Sequence, residues 1–219
     1  MIKVPNGCNL AVCGCSYASN YESRGQDGKL SPKVEEVLST VKSKDLWVNN
    51  FTGYKTFKNF AQPGCTNYDI YLQVKNALNE EYNYILVFLT NPNRYNAWWE
   101  VKQSLLPWVE KPKFIDYVKK YHSIDFCQFY TYLLIKDMIS LSEEANVNYR
   151  IFIGHSSEDT SSKEYSSFMG KEVHNIRNPN IIKWHARGQG PASNHDQTSP
   201  NHLSLDGQLM VIKRLNKYV

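Results

Sequence analysis

Residues Tyr84–Leu89 read YILVFL, an apolar run with no polar interruption. A strand with one solvated face alternates apolar and polar residues. A strand covered on both faces does not, and such strands are typical of parallel sheets flanked by helices. The run stops at Thr90-Asn91-Pro92-Asn93-Arg94, a loop by composition.

Working outward, helical spacing alternates with further short apolar runs. Before the YILVFL strand, Ile70, Leu72, Val74 and Leu78 predict the apolar side of a helix from about Asn67 to Glu80. After it, Phe126, Phe129, Tyr130, Leu133, Leu134, Met138 and Leu141 predict the core stripe of a long helix over Asp125–Ala145. Leu10–Cys13, Phe57–Phe60, Tyr149–Ile153 and Ile181–Trp184 read as strands. Ser31 as N-cap and Pro32 at the first helical position open another helix, running to about Lys44. Leu203–Lys217 closes the chain as an amphipathic helix with Leu205, Leu209, Ile212 and Leu215 on one side. Alternating strands and helices predict an α/β fold with a parallel sheet and right-handed crossovers. The length of 219 residues and the absence of repeats or a linker predict a single domain over 1–219. Residues 95–124, rich in Trp and Tyr, read as a helical insertion.

Composition narrows the function classes. A net charge of +4, scattered without a basic stripe, argues against a nucleic-acid partner. There is no Walker sequence and no Gly-x-Gly-x-x-Gly, so nucleotide binding lacks support. Cys8, Cys13, Cys15, Cys65 and Cys127 are odd in number and irregular in spacing, which predicts buried reduced thiols and no zinc site. Pro5, Asn6, Gly7 and Asn9 stand where a signal peptide would need apolar residues, and no run is long enough to span a membrane. The expectation is a cytoplasmic protein with no membrane partner.

In parallel α/β sheets, ligands bind beyond the carboxyl ends of the strands. Ser16 follows the first strand, in Gly14-Cys15-Ser16. Its hydroxyl becomes a nucleophile only with a base to take its proton, and a serine there is equally a helix N-cap. Gly64 in Pro63-Gly64-Cys65-Thr66-Asn67 could turn a backbone N–H to an oxyanion, or be an ordinary loop glycine. Asn67 reads as a cap for the helix that follows. Asn93 follows the most apolar strand and could donate to the same oxyanion, though Asn-Pro-Asn is also a common turn. His202 precedes the last helix, while His155 is the rival base because it too follows a strand.

The ordered set Gly14-Cys15-Ser16, Pro63-Gly64-Cys65-Thr66-Asn67, Asn91-Pro92-Asn93 and Pro200-Asn201-His202 resembles the four motif blocks of the SGNH (GDSL-like) hydrolases. More narrowly, it resembles the divergent members common in tailed bacteriophages. The resemblance implies a flavodoxin-like three-layer α/β/α sandwich, with Ser16 as nucleophile and His202 as general base. Gly64 N–H, Ser16 N–H and the Asn93 side chain would form the oxyanion hole, and Asn67 and Arg94 would meet the substrate. It implies hydrolysis of an ester, such as an acetyl group on a carbohydrate, with no metal or other cofactor. Two positions depart from the family pattern: Asn91 stands where glycine is usual, and Ser199 where an acid would orient the histidine. Asp196, Asp206 or a backbone carbonyl are the available substitutes for that acid. The alternative reading is a catalytically weak or inactive protein on the same fold, serving as a phage virion or tail component among other virion proteins. A third is a sheet that binds a small anion at its first strand end.

Overall fold

The computed structural model describes residues 1–15, 17–20, 35, 39, 41–90, 92, 95–96, 104–105, 124–153, 176–183 and 205–219. Within these residues the chain order is β1 (Ile2–Lys3), β2 (Asn9–Gly14), β3 (Phe51–Thr52), β4 (Thr56–Asn59), α1 (Asn67–Asn79), β5 (Tyr84–Phe88), β6 (Tyr95–Asn96), β7 (Ser104–Leu105), α2 (Ile124–Glu144), β8 (Asn148–Ile153), β9 (Ile181–Lys183) and α3 (Leu205–Leu215).

The central sheet has five parallel strands in the order β4-β2-β5-β8-β9. Its covered faces explain the unbroken apolar run of β5. Tyr84, Leu86 and Phe88 point to one side, together with Leu10 and Val12 of β2, Phe152 of β8, Trp47, and Val211 and Leu215 of α3. Ile85, Val87 and Leu89 point to the other, with Ala11, Cys13, Tyr149 and Ile151, against Ile70 and Val74 of α1 and Ile135 and Met138 of α2. The result is three layers, with α1 and α2 on one face and α3 on the other. Stacked rings tie the α3 face together: Phe88 and Phe152 lie parallel at 4.6 Å, and Trp47 sits 4.8 Å from Phe88. A two-stranded β1–β3 pair extends this face, and the Asn216 side chain holds the first residues by bonds to Lys3 N–H and Met1 C=O.

Strand positions agree with the sequence reading to within a residue or so; helix faces agree only in part, with Ile70, Val74, Leu134, Met138 and Leu215 buried as expected. In α1 the buried side is Asn67, Ile70, Gln73, Val74 and Ala77, while Leu72 is exposed. In α3, Gln208, Val211 and Leu215 face the sheet and Leu209 is exposed. In α2 the expected stripe is largely turned outward: Phe126, Phe129, Tyr130 and Leu133 are exposed. The buried side carries Cys127, Gln128, Thr131, Leu134, Ile135, Met138 and Ser142. In each case a polar residue with a partner sits at the sheet-facing position, and hydropathy cannot register that. After residue 94 the described segments form a short antiparallel β6–β7 ribbon where helices were expected. The expected helix from Ser31 to Lys44 lies mostly outside the described residues. Glu35 and Ser39 are helical. Among the described residues, no helix is long and apolar enough to cross a membrane.

Candidate active site

Following the sheet strands in chain order, the first (β2) lies between the second (β4) and the third (β5). The chain steps outward from β2 to β4, then reverses across β2 to β5. That reversal is the topological switch point, where the connections leaving two neighbouring strands diverge and open a crevice at their carboxyl ends. Here those ends are Gly14-Cys15 and Phe88–Thr90, with Gly14 paired to Phe88.

Gly14 is buried at a close approach. A Cβ there would meet the Ala18 Cβ at 2.8 Å, and the Phe88 Cβ and carbonyl oxygen at 3.3 Å. The chain then turns: Ala18 N–H donates to Cys15 C=O at 3.0 Å. The Gln73 side chain on α1 grips the strand end from below. Its Oε1 accepts from Gly14 N–H at 2.7 Å, and its Nε2 donates to Gly14 C=O at 3.2 Å and to Cys65 Sγ at 3.3 Å. Gln62 N–H adds a second bond to Gly14 C=O, at 3.2 Å. The first and second sequence motifs are therefore tied together at Gly14.

The second motif enters α1 through Gly64, whose φ of 84° lies in the left-handed region that favours glycine. Among the described residues, no acceptor takes the Gly64 N–H. Thr66 is the N-cap: its Oγ1 accepts from Asp69 N–H at 3.2 Å, and Asp69 Oδ2 accepts from Thr66 N–H at 2.7 Å. This capping box fixes the start of α1, whose unpaired N–H groups and dipole favour negative charge. Asn67, expected as the cap, is one residue inside the helix and buried. Its Oδ1 accepts from Thr90 N–H at 2.8 Å, and its Nδ2 donates to Thr90 C=O at 3.1 Å and to Thr131 Oγ1 at 3.2 Å. Both N–H donors of the amide are thereby engaged inside the protein. Asn67 thus grips the end of β5 much as Gln73 grips the end of β2.

On the other face, Trp47 links the turn after β2 to α3. Its Nε1–H donates to Tyr17 C=O at 3.1 Å, and its backbone N–H donates to Gln208 Oε1 at 2.8 Å. Burial pushes the Tyr17 hydroxyl pKa up, partly offset by the Arg214 guanidinium on α3. Burial also raises the Cys13 thiol. A thiol held protonated is a poor nucleophile. None of the five cysteines is in a disulfide, and all are buried.

Of the site residues expected from sequence, Gly64 and Asn67 fall within the described residues, on either side of the α1 N-cap. Ser16, Asn93, Arg94, Asp196, His202 and the rival His155 lie outside them. Asp206 stands in the first turn of α3, but its side chain is not described. Sequence reasoning missed Gln73, Trp47, Thr131 and Gln208. One signal was available: Gln73 and Gln208 each occupy a position that helical spacing assigns to the core, among Ile70, Val74 and Ala77 and among Val211 and Leu215. A buried glutamine there needs partners.

No family model and no curated protein matches the chain. Solved structures do. EstA, a psychrotrophic esterase from Pseudoalteromonas sp. determined with monoethylphosphonate as inhibitor, is 11% identical with a TM-score of 0.52, over 96% of this chain and 95% of its own. TesA is 12% identical with a TM-score of 0.54, over 96% and 95%. A variant of Axe2, an acetyl-xylooligosaccharide esterase from Geobacillus, is 11% identical with a TM-score of 0.53, over 99% and 96%. The fold is that of the SGNH hydrolases. At such identity the likeness carries the architecture, and the chemistry has to be argued from the residues of this chain.

Proposed function

We propose that this protein is a serine esterase of the SGNH type, acting on an ester such as an acetyl group on a carbohydrate. The observation that carries this reading is the convergence at the switch point. Gly14-Cys15 and the Gly64–Asn67 turn come from two separate sequence motifs, Thr90 immediately precedes a third, and buried amides tie them to one another. In this mechanism Ser16 attacks the ester carbonyl while His202 takes its proton, and the alcohol leaves with that proton. Water then releases the acyl group by the same route. Gly64 N–H, Ser16 N–H and the Asn93 amide hold the developing oxyanion beside the positive end of α1. Arg94 meets the substrate. Asp196 orients His202 in place of the acid that Ser199 replaces. Asn67 and Gln73 act as positioning residues, since their amides hold backbone. The link from Tyr17 through Trp47 to Gln208 supports the pairing of Ser16 with His202, because α3 begins three residues after His202.

The test uses the whole chain. A fluorophosphonate probe labels the wild type and leaves Ser16→Ala unlabelled, and p-nitrophenyl acetate turnover is lost in Ser16→Ala and His202→Ala. Equal inertness of wild type and variants overturns the reading. One observation favours a second reading, an assembly component such as a phage virion or tail protein: α2 exposes Phe126, Phe129, Tyr130 and Leu133 along one side. Stable co-assembly with particle proteins, together with no labelling at Ser16, would support it.

A further inference from the structure

Away from the strand ends, a cleft of about 450 Å³ opens beside the edge strand β4, lined by Asn20, Val48, Asn49, Phe51, Tyr54, Phe57, Lys58 and Asn59. Its volume lies within the range of small-molecule sites, about 300–1,000 Å³. Three rings form one wall. Phe57 lies 5.9 Å from Phe51 and 5.6 Å from Tyr54 between centroids, and Tyr54 is 40% exposed. Phe51 anchors this wall in the core, so the Tyr54 and Phe57 rings are held from behind and present surface to the cleft.

The polar groups complement the rings. Lys58 brings the only charge among the described lining residues, and its ammonium is already paired with Glu80, at 2.6 Å, and lies 4.5 Å over the Phe60 ring. Asn49 uses its Nδ2 on Ser43 C=O and Oγ, and its carbonyl oxygen takes no donor among the described residues. The Tyr54 hydroxyl likewise has no partner among them. Asn59 joins the cleft to the end of β2: its Nδ2 donates to Ala18 C=O at 2.8 Å, and Ala18 N–H donates to Cys15 C=O. Aromatic faces with neutral amide and hydroxyl groups suit a ligand that is uncharged, rich in hydroxyls, and apolar on the C–H face of its rings. An anion would find no free cation among the described lining residues, and a purely apolar ligand would leave the Asn49 carbonyl and the Tyr54 hydroxyl without a partner there.

We propose that this cleft binds a neutral saccharide, the glycan part of an ester whose carbonyl reaches the Cys15–Ala18 turn. The proposal rests on the serine esterase reading for the chemistry at that turn, but the binding is testable apart from it. The probe is an array of neutral unacetylated oligosaccharides, including xylo-, cello- and chito-oligomers, screened against the Ser16→Ala chain to separate binding from turnover. Hits are then titrated by calorimetry. Saturable binding is expected, weakened about tenfold by Tyr54→Ala through loss of the ring face and kept by Tyr54→Phe, which retains the ring. Because Tyr54 is exposed, both variants should fold, and a circular dichroism melt checks this. No saturable binding to any neutral glycan, or binding that Tyr54→Ala leaves unchanged, overturns the proposal. If glycans bind through Tyr54 and the fluorophosphonate does not label Ser16, the cleft stands and the esterase reading falls. If Ser16 is labelled and no glycan binds, the cleft proposal alone falls.

Discussion

Replacing Gln73 with leucine tests whether the crevice floor is held by a buried amide. The variant keeps roughly the same side-chain volume, so the cavity cost is small. It removes the acceptor at 2.7 Å from Gly14 N–H, and Gly14 is buried. Leaving such a donor unpaired costs about 1–3 kcal/mol. The carbonyl of Gly14 suffers less, because Gln62 N–H still reaches it at 3.2 Å. Loss of the Nε2 bonds to Gly14 C=O and Cys65 Sγ adds roughly 1 kcal/mol. The expected total is about 2–4 kcal/mol, which for a chain of this size lowers Tm by roughly 5–12 °C. Differential scanning calorimetry reads this directly, with Asn76→Leu, exposed on the same helix, as a control expected within about 0.5 kcal/mol. A shift below about 1 °C for Gln73→Leu would refute the reasoning. It would mean that the strand end relaxes to another acceptor, and the amide would then be incidental to the crevice.

Other expectations follow from the same geometry. Gly14→Ala forces a Cβ against Ala18 and Phe88, costing about 1–3 kcal/mol in a urea melt. If esterase activity is present, this variant loses it more steeply than it loses stability, because Gly14 lies two residues before Ser16 in the sequence. Asn67→Ala strands Thr90 N–H and is expected to cost about 2–4 kcal/mol by chemical denaturation, with a matching fall in fluorophosphonate labelling rate. The Asp137 carboxylate, accepting from the Tyr71 hydroxyl, pushes the Tyr71 pKa up to about 12, with burial and the neighbouring Tyr68 and Tyr130 adding to it. An unfolded tyrosine titrates near 10, so the stability this pair contributes is complete below about pH 10 and is lost as pH rises toward 12. Tyr71→Phe therefore flattens the alkaline limb of a Tm-versus-pH series, and it removes a step near pH 12 from an absorbance titration at 295 nm.

Much of the architecture was legible from residue order. The YILVFL run, the Pro-Gly turn before α1 and the small residues after β2 specify strands, covered faces and a strand-end site through local rules of periodicity and turn chemistry. Helix orientation was legible only in part, and α2 shows why. Its sequence offers a ring-rich side through Phe126, Phe129, Tyr130 and Leu133, which hydropathy favours for the core. The folded chain instead buries Cys127, Thr131, Leu134, Ile135 and Met138, with Thr131 Oγ1 accepting from Asn67 Nδ2. The same limit hid the role of Asn67, which composition reads as a cap. Its place beside Thr90 depends on a strand 23 residues away.

The sequence by itself determined the α/β class, the run of strands and the four motifs whose order resembles an SGNH hydrolase. Those features are local, and each reports on its own few residues. Only the tertiary structure decided that β2 lies between β4 and β5, and so that the topological switch point falls at Gly14. It also decided that α1 spends two buried amides holding the ends of β2 and β5. Such contacts join residues tens of positions apart, and the strength of a buried hydrogen bond depends on exclusion from water, which the assembled layers alone provide.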